Sequence, residues 1–415
     1  MRARSVLAGL GGVAAFALVP PGASAQIAVR GETVYTMAGQ ALLDGVVVIK
    51  DGKIAAVGPA KATSIPSGYR TLSAKVVTPG LVDVRTSVGL SGFMNQPHDQ
   101  DQRDPGGAIQ PELRAIDAYN PQERLVDWLR GFGVTTLHTG HGPGALVTGQ
   151  TMVVKTKGQD PEKDALVPFA MVAATLGEGA KEEGEGKSPG TRSKAVALLR
   201  AELIKAQEYL AKRDAPPAAD DKDKGKAPDR SLRLEALGRV LRGEAPLLVT
   251  VHRAHDILTV LRLRDEFKIK VVLEGASEAF LVTDQIKKAG LSVILHPTMY
   301  RSYGELENLS METAATLRKA GIPFAIESGF ESYVPKTRIV LFEAALAAAN
   351  GLSFEEALAA ITIDAARLLG VEARVGSLEK GKDGDLALYD GDPFEYTSHC
   401  TGVVIDGEVK GTSAN

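Results

Sequence analysis

Cysteine is nearly missing: Cys400 is the single one in 415 residues. No disulfide can form within the chain, and Cys400 reads as a small, semi-buried side chain. Neither sign of charge is in excess, since 48 Lys and Arg stand against 51 Asp and Glu for a net charge of −3. Nucleic acid and anionic membrane are therefore not expected partners. There is no Gly-x-Gly-x-x-Gly, Walker loop, Ser-His-Asp order or Cys-x-x-Cys pair, which argues against nucleotide chemistry and thiol catalysis. No repeat of fixed period is visible. What remains is 44% hydrophobic and 24% charged, ordinary for a globular chain. The length suits one large α/β barrel plus a smaller module.

The N-terminus reads as a signal peptide. Arg2 and Arg4 precede an apolar stretch from Val6 to Val19, and Ala23-Ser24-Ala25 offers a small-residue cleavage site. The stretch is short and Gly/Ala-rich, which favours export over a membrane anchor. A mature chain starting near Gln26, periplasmic or secreted and off the membrane after cleavage, is expected.

Turn signals then punctuate short apolar runs. Gly45 to Lys50, the pair Asp51-Gly52 and Lys53 to Gly58 predict a hairpin. The pattern returns at the other end, with strands at 385–389 and 403–405 and Asp406-Gly407 as a turn. Strand-rich termini around an α/β centre predict a small composite β-domain, a β-sandwich built from 26–76 and 371–415. Between them, over 77–370, strands are expected at 77–84, 134–138, 151–155, 167–173, 247–252, 270–274, 292–296 and 323–327. Helices are expected at 254–267, 277–289 and 311–320. Eight strands separated by helices or loops predict an α/β fold of the (β/α)₈ TIM-like barrel type. The third strand is ambiguous, because Leu146 to Lys155 could equally be a hairpin. After the fourth strand come an amphipathic helix over 193–212 and, at about 215–229, a mixed-charge stretch that reads as a disordered, solvated loop.

Two groups of residues carry a resemblance. The run Thr78-Pro79-Gly80-Leu81-Val82-Asp83 follows an extended segment. Near the C-terminus, Ser353 and Glu356 have capping-box spacing, and Gly376-Ser377 leads through Gly381 to Gly384-Asp385-Leu386. The chain resembles the amidohydrolase superfamily, in particular its imidazolonepropionase-like branch. The resemblance implies hydrolysis of a non-peptide C–N bond in a small cyclic amide, with zinc or another divalent metal held by a His-x-His pair on the first strand, by His after the fifth and sixth, and with an Asp at the eighth.

Here the first-strand pair is replaced by Arg85 and Ser87. A guanidinium has no lone pair to offer, and a neutral hydroxyl is a poor ligand. His252 matches the fifth-strand ligand. Glu274-Gly275 lacks the sixth-strand His, and Glu327 stands where the eighth-strand Asp is sought. The candidate catalytic groups are therefore Arg85, Glu274 and Glu327; His252 and His255 are candidate metal ligands; His138, His141 and His296 are candidate substrate-binding groups. Each histidine could equally serve loop backbone groups. Lys155 stands on the third strand, where a carbamylated ligand lysine is not expected. The segments 140–145, rich in glycine, and 97–104, rich in polar groups, suit a ligand or a solvated turn. Two readings stay open: a hydrolase with an altered metal site, and a non-catalytic barrel that binds a small molecule or pairs with a related subunit in a homo- or hetero-oligomer. Arg85 is expected to pair with Glu274, Glu327 or both.

Overall fold

The computed structural model describes residues 26–94, 96–181, 189–215, 228–295, 302–331 and 337–411. The segment 1–25, most of the charged stretch at 215–229, and His296 lie outside the described residues.

The chain opens with β1 (Ile27–Val34), β2 (Leu42–Lys50), β3 (Lys53–Pro59) and β4 (Arg70–Pro79). Asp51 and Gly52 join β2 to β3 with φ of 52° and 76°. Two successive positive φ values make the turn whose twist suits a two-residue hairpin, which is why Asp-Gly occurs there. β4 feeds directly into β5 (Leu81–Thr86), followed by β6 (Val134–Gly140), β7 (Val147–Lys155), β8 (Ala165–Val167), β9 (Val172–Thr175), β10 (Leu247–Val251), β11 (Val271–Gly275), β12 (Ser292–Leu295) and β13 (Phe324–Ile326). The chain ends on β14 (Leu386–Tyr389), β15 (Cys400–Ile405) and β16 (Glu408–Lys410).

These strands form two sheets. One has seven strands in the order β16-β15-β14-β4-β1-β2-β3, so both chain ends share it. Ile27, Val29, Val47, Ile49, Leu386 and Val404 build its core. The other runs β13-β12-β11-β10-β9-β7-β6-β5, with β8 appended to β7. It curls into a barrel whose seam lies between β13 and β5. There the Gly329 N–H donates to the Arg85 carbonyl at 3.1 Å, and the Ser328 N–H donates to the Asp83 carboxylate at 3.1 Å. Val82, Val153, Ala173, Leu248, Val272, Ile294 and Ala325 come from seven of the eight strands on the barrel path, all but β6, and share one apolar cluster inside the ring. Ala365, Ala366 and Leu369, from the helix Ile363–Leu369, join that cluster and close the bottom.

The third barrel strand settles the ambiguity left by the sequence. β7 is antiparallel to both β6 and β9, while the other neighbouring pairs along the barrel path are parallel. Only His141–Leu146 separate β6 from β7, and a parallel crossover takes roughly a dozen residues or more. Lys155 pairs with Thr136 near the start of β6, so it points away from the mouth.

At that lower end Lys155 bridges the barrel to the β-domain. Its Nζ lies 2.6 Å from Asp383, 2.9 Å from Asp385 and in contact with Asp406. Burial works to neutralise the amine, but the three carboxylates outweigh it and hold its pKa above the usual lysine value. Arg374 and Lys53 complete the ring around Asp383. Lys155 is thus an inter-domain tie and no ligand lysine.

The helices Arg192–Arg213, Ala254–Phe267 and Thr313–Ala320 lie close to the predicted spans. The one expected over 277–289 breaks into a short turn, Ala279–Leu281, and the helix Thr283–Ala289. Ser353 and Glu356 form the predicted capping box.

Candidate functional site

Side chains two residues beyond the interior core share its face, because strand side chains alternate. From Leu248 this leads to Thr250 and His252, from Val272 to Glu274, and from Ala325 to Glu327. All four sit at the C-terminal ends of β10, β11 and β13, where barrels of this type carry their sites. Glu274 and Glu327 are 4% and 3% exposed.

Arg85, 2% exposed, enters from β5, whose register with β6 shifts between Asp83 and Thr86. Its Nε donates to Glu274 Oε1 at 3.2 Å, Nη1 to the Thr86 carbonyl at 3.0 Å and Nη2 to the His141 carbonyl at 2.5 Å. Glu274 Oε2 accepts from the Thr250 hydroxyl at 3.0 Å. Glu274 is therefore neutralised by one guanidinium and steadied by one hydroxyl. Glu327 forms no such pair. Its Oε2 is buried without a hydrogen-bond partner. Burial, then the Glu274 charge, push its pKa well above the usual carboxylate range, against a smaller opposing pull from Arg85. Asp83 is similar: Oδ1 accepts the backbone N–H groups of Ser328 and Arg85, Oδ2 has no partner, and burial raises its pKa to about 6.

The histidines fare differently from one another. His138 is wholly buried, with Nδ1 2.7 Å from the Val84 carbonyl and Nε2 2.6 Å from the Thr151 hydroxyl. A carbonyl only accepts, so the proton sits on Nδ1 and Nε2 takes the hydroxyl hydrogen. Both nitrogens are spent on structure, and burial with the Arg85 charge lowers the pKa to about 3. His138 therefore does not serve substrate directly. His141 contributes its carbonyl to Arg85, and burial followed by the same guanidinium lowers its ring to about 4. His252 places Nδ1 3.0 Å from the Ser277 hydroxyl. It keeps some solvent exposure, yet the protein packed around its ring pushes its pKa down to about 4. Gly275 makes room for it: φ is +79°, and a Cβ there would lie 2.6 Å from the imidazole. His255 does not join His252. It is exposed on the first turn of its helix, 3.4 Å from Asp256, in a cleft with Arg192 and Arg262. Sequence paired it with His252 as a candidate metal ligand, but the helix turns it outward.

The two loop segments that suit a ligand meet each other. The Gly142 N–H donates to the Gln102 carbonyl at 2.7 Å, and Arg103 reaches the Gly144 carbonyl at 3.5 Å. Ser87 hydrogen-bonds to Ser91 at 2.9 Å rather than to Arg85 or a glutamate. Sequence reading missed Asp83 and Thr250. The signal for Asp83 was present, as a carboxylate inside the six-residue, wholly buried strand β5.

The Amidohydrolase family model matches residues 286–410. An imidazolonepropionase of Rhizorhabdus wittichii is 27% identical over 388 residues, covering 87% of this chain and 92% of the relative. One from Brucella anthropi is 25% identical, with 88% and 91% covered. The crystal structure of an amidohydrolase from Thermotoga maritima superposes with a TM-score of 0.85 at 28% identity, covering 92% of this chain and 99% of that one. The chain belongs to the amidohydrolase superfamily. Within it, these relatives put the protein on the imidazolonepropionase-like branch.

Among the described residues, the three carboxylate, imidazole or thiol donors that come within 4.8 Å of one another are Asp383, Asp385 and Asp406. They surround Lys155 at the opposite end of the barrel.

Proposed function

We propose that this protein is a small-molecule-binding amidohydrolase-fold barrel in which Arg85 stands where the family's catalytic metal would sit, so that metal-assisted C–N hydrolysis is lost. The observation that carries the reading is the buried Arg85–Glu274 pair, with both Nη groups committed to carbonyls. A divalent ion about 4 Å from that guanidinium would be repelled by roughly 8 kcal/mol at an effective dielectric of 20. Among the described residues, no three carboxylate, imidazole or thiol donors at the mouth come within 4.8 Å of one another. Glu274 is spent on Arg85 and Thr250, and both ring nitrogens of His138 are hydrogen-bonded. His255 faces away.

The test is restoration. Arg85→His combined with Ser87→His should take up zinc, and Ser87→His alone should not, because the guanidinium remains. Equal zinc content in the single and double variants would count against the reading.

We also propose that the protein is exported and that the mature chain begins near Gln26, on the strength of the N-terminal pattern. Among the described residues no helix is long and apolar enough to cross a membrane. Mass spectrometry of periplasmic and membrane fractions tests this; a membrane-held chain retaining Met1 contradicts it.

A further inference from the structure

Among the described residues, the barrel mouth is short of positive charge. Arg85 supplies one cation and spends it: Nε on Glu274, Nη1 and Nη2 on two backbone carbonyls. Glu274 is complete, with Arg85 on one oxygen and Thr250 on the other. Asp83 and Glu327 are left over, at 0% and 3% exposure, each with an oxygen that no donor reaches. The charged groups acting on Glu327 are Glu274 from β11, Arg85 and Asp83 from β5, and Glu343 from the helix Val340–Ala349. That is one cation, already paired, among three further carboxylates. The histidines do not help, since burial keeps His138, His141 and His252 neutral near pH 7. A buried carboxylate without a counter-charge keeps a proton instead of ionising.

Building on the reading of the mouth as a metal-free ligand site, we propose that its ligand carries a cationic nitrogen, an ammonium or amidinium group, that pairs with Glu327. On binding, Glu327 gives its proton to solvent and its Oε2 accepts an N–H from the ligand. Asp83, deeper at the β5–β13 seam, adds a second negative charge. Among the described residues the same count disfavours an anionic ligand, because Arg85 is committed to Glu274 and to carbonyls. This identifies the class of the recognised group and leaves the rest of the ligand open.

Acetamidinium, acetamide and acetate are nearly the same size and differ in charge, so they serve as probes of the intact protein. Dissociation constants come from ligand-observed NMR titrations between pH 6 and 8, with zinc content measured on the same samples. Acetamidinium should bind more tightly than acetamide or acetate. Its affinity should rise with pH, by up to about tenfold per unit while Glu327 is protonated in the free protein. Glu327→Gln should abolish that rise and weaken binding at pH 8 by about tenfold or more. Should that variant fail to fold, Asp83→Asn, which leaves Glu327 in place, should still weaken acetamidinium binding while preserving its rise with pH. Acetate binding as tightly as acetamidinium, or no acetamidinium binding in zinc-free protein, overturns this inference alone. Stoichiometric zinc at the mouth would instead overturn the metal-free reading beneath it.

Discussion

Each end of the barrel buries one cation among carboxylates, and the two ends differ in how completely the charges are matched. At the bottom, Lys155 meets Asp383, Asp385 and Asp406, while Lys53 and Arg374 also reach Asp383 and Lys157 lies 3.4 Å from Asp406. The backbone N–H of Asp406 satisfies Asp385 Oδ1 at 2.7 Å, and its Oδ2 makes an ionic contact with Lys155 that is not aligned as a hydrogen bond. At the mouth, Arg85 answers Glu274 alone, and oxygens of Asp83 and Glu327 are left without partners. A closed network is what a structural tie requires, since a buried charge lacking its partner is costly. An open one is what the proposed ligand site requires. The difference separates a joint from a site.

That contrast can be broken at either end. The largest effect is expected at the bottom: Lys155→Met removes the ammonium shared by three carboxylates and should cost about 3–5 kcal/mol of stability, read from urea unfolding. A variant as stable as the parent would mean the tie is ornamental. At the mouth, Arg85→Met should cost about 3 kcal/mol, because it leaves Glu274 a buried carboxylate without its partner. A variant as stable as the parent in urea would contradict the Arg85–Glu274 pairing.

Asp83 gives a narrower test. Its folded pKa of about 6 lies above the ordinary value of 3.8, so the native state binds the proton more tightly. Its contribution to stability is therefore whole below about pH 4 and lost as pH rises through about 6, amounting to at most roughly 3 kcal/mol. Asp83→Asn keeps an acceptor for Ser328 and should remove that component from the stability profile. An unchanged profile would refute it. The smallest effect belongs to His255→Ala, expected to stay within about 0.5 kcal/mol and to leave ligand binding intact, because the side chain is exposed and away from the mouth.

Much of the scaffold was legible because it depends on local chemistry. Asp51-Gly52 and Asp406-Gly407 announce turns through residues that tolerate positive φ, and all four adopt it. The capping box at Ser353 likewise spans only the four residues to Glu356. At the site, the resemblance of the sixth and eighth strand ends to the family pattern singled out Glu274 and Glu327, both buried at the mouth. What stayed hidden rests on partners distant in sequence. The role of His138 depends on the Val84 carbonyl, 54 residues earlier. That of Lys155 depends on Asp383 and Asp406, 228 and 251 residues later. The direction of β7 followed from the short connection His141–Leu146, a cue the apolar pattern of the strand itself does not contain.

On the reading proposed above, a guanidinium, and no metal, governs the barrel mouth. The most direct test is the zinc content of the unaltered protein, purified without chelator from cells grown with added zinc and measured by elemental analysis alongside native mass spectrometry. The account predicts substoichiometric zinc and an unchanged mass after dialysis against a chelator. One zinc per chain, removed by the chelator or by Glu327→Gln, would contradict it.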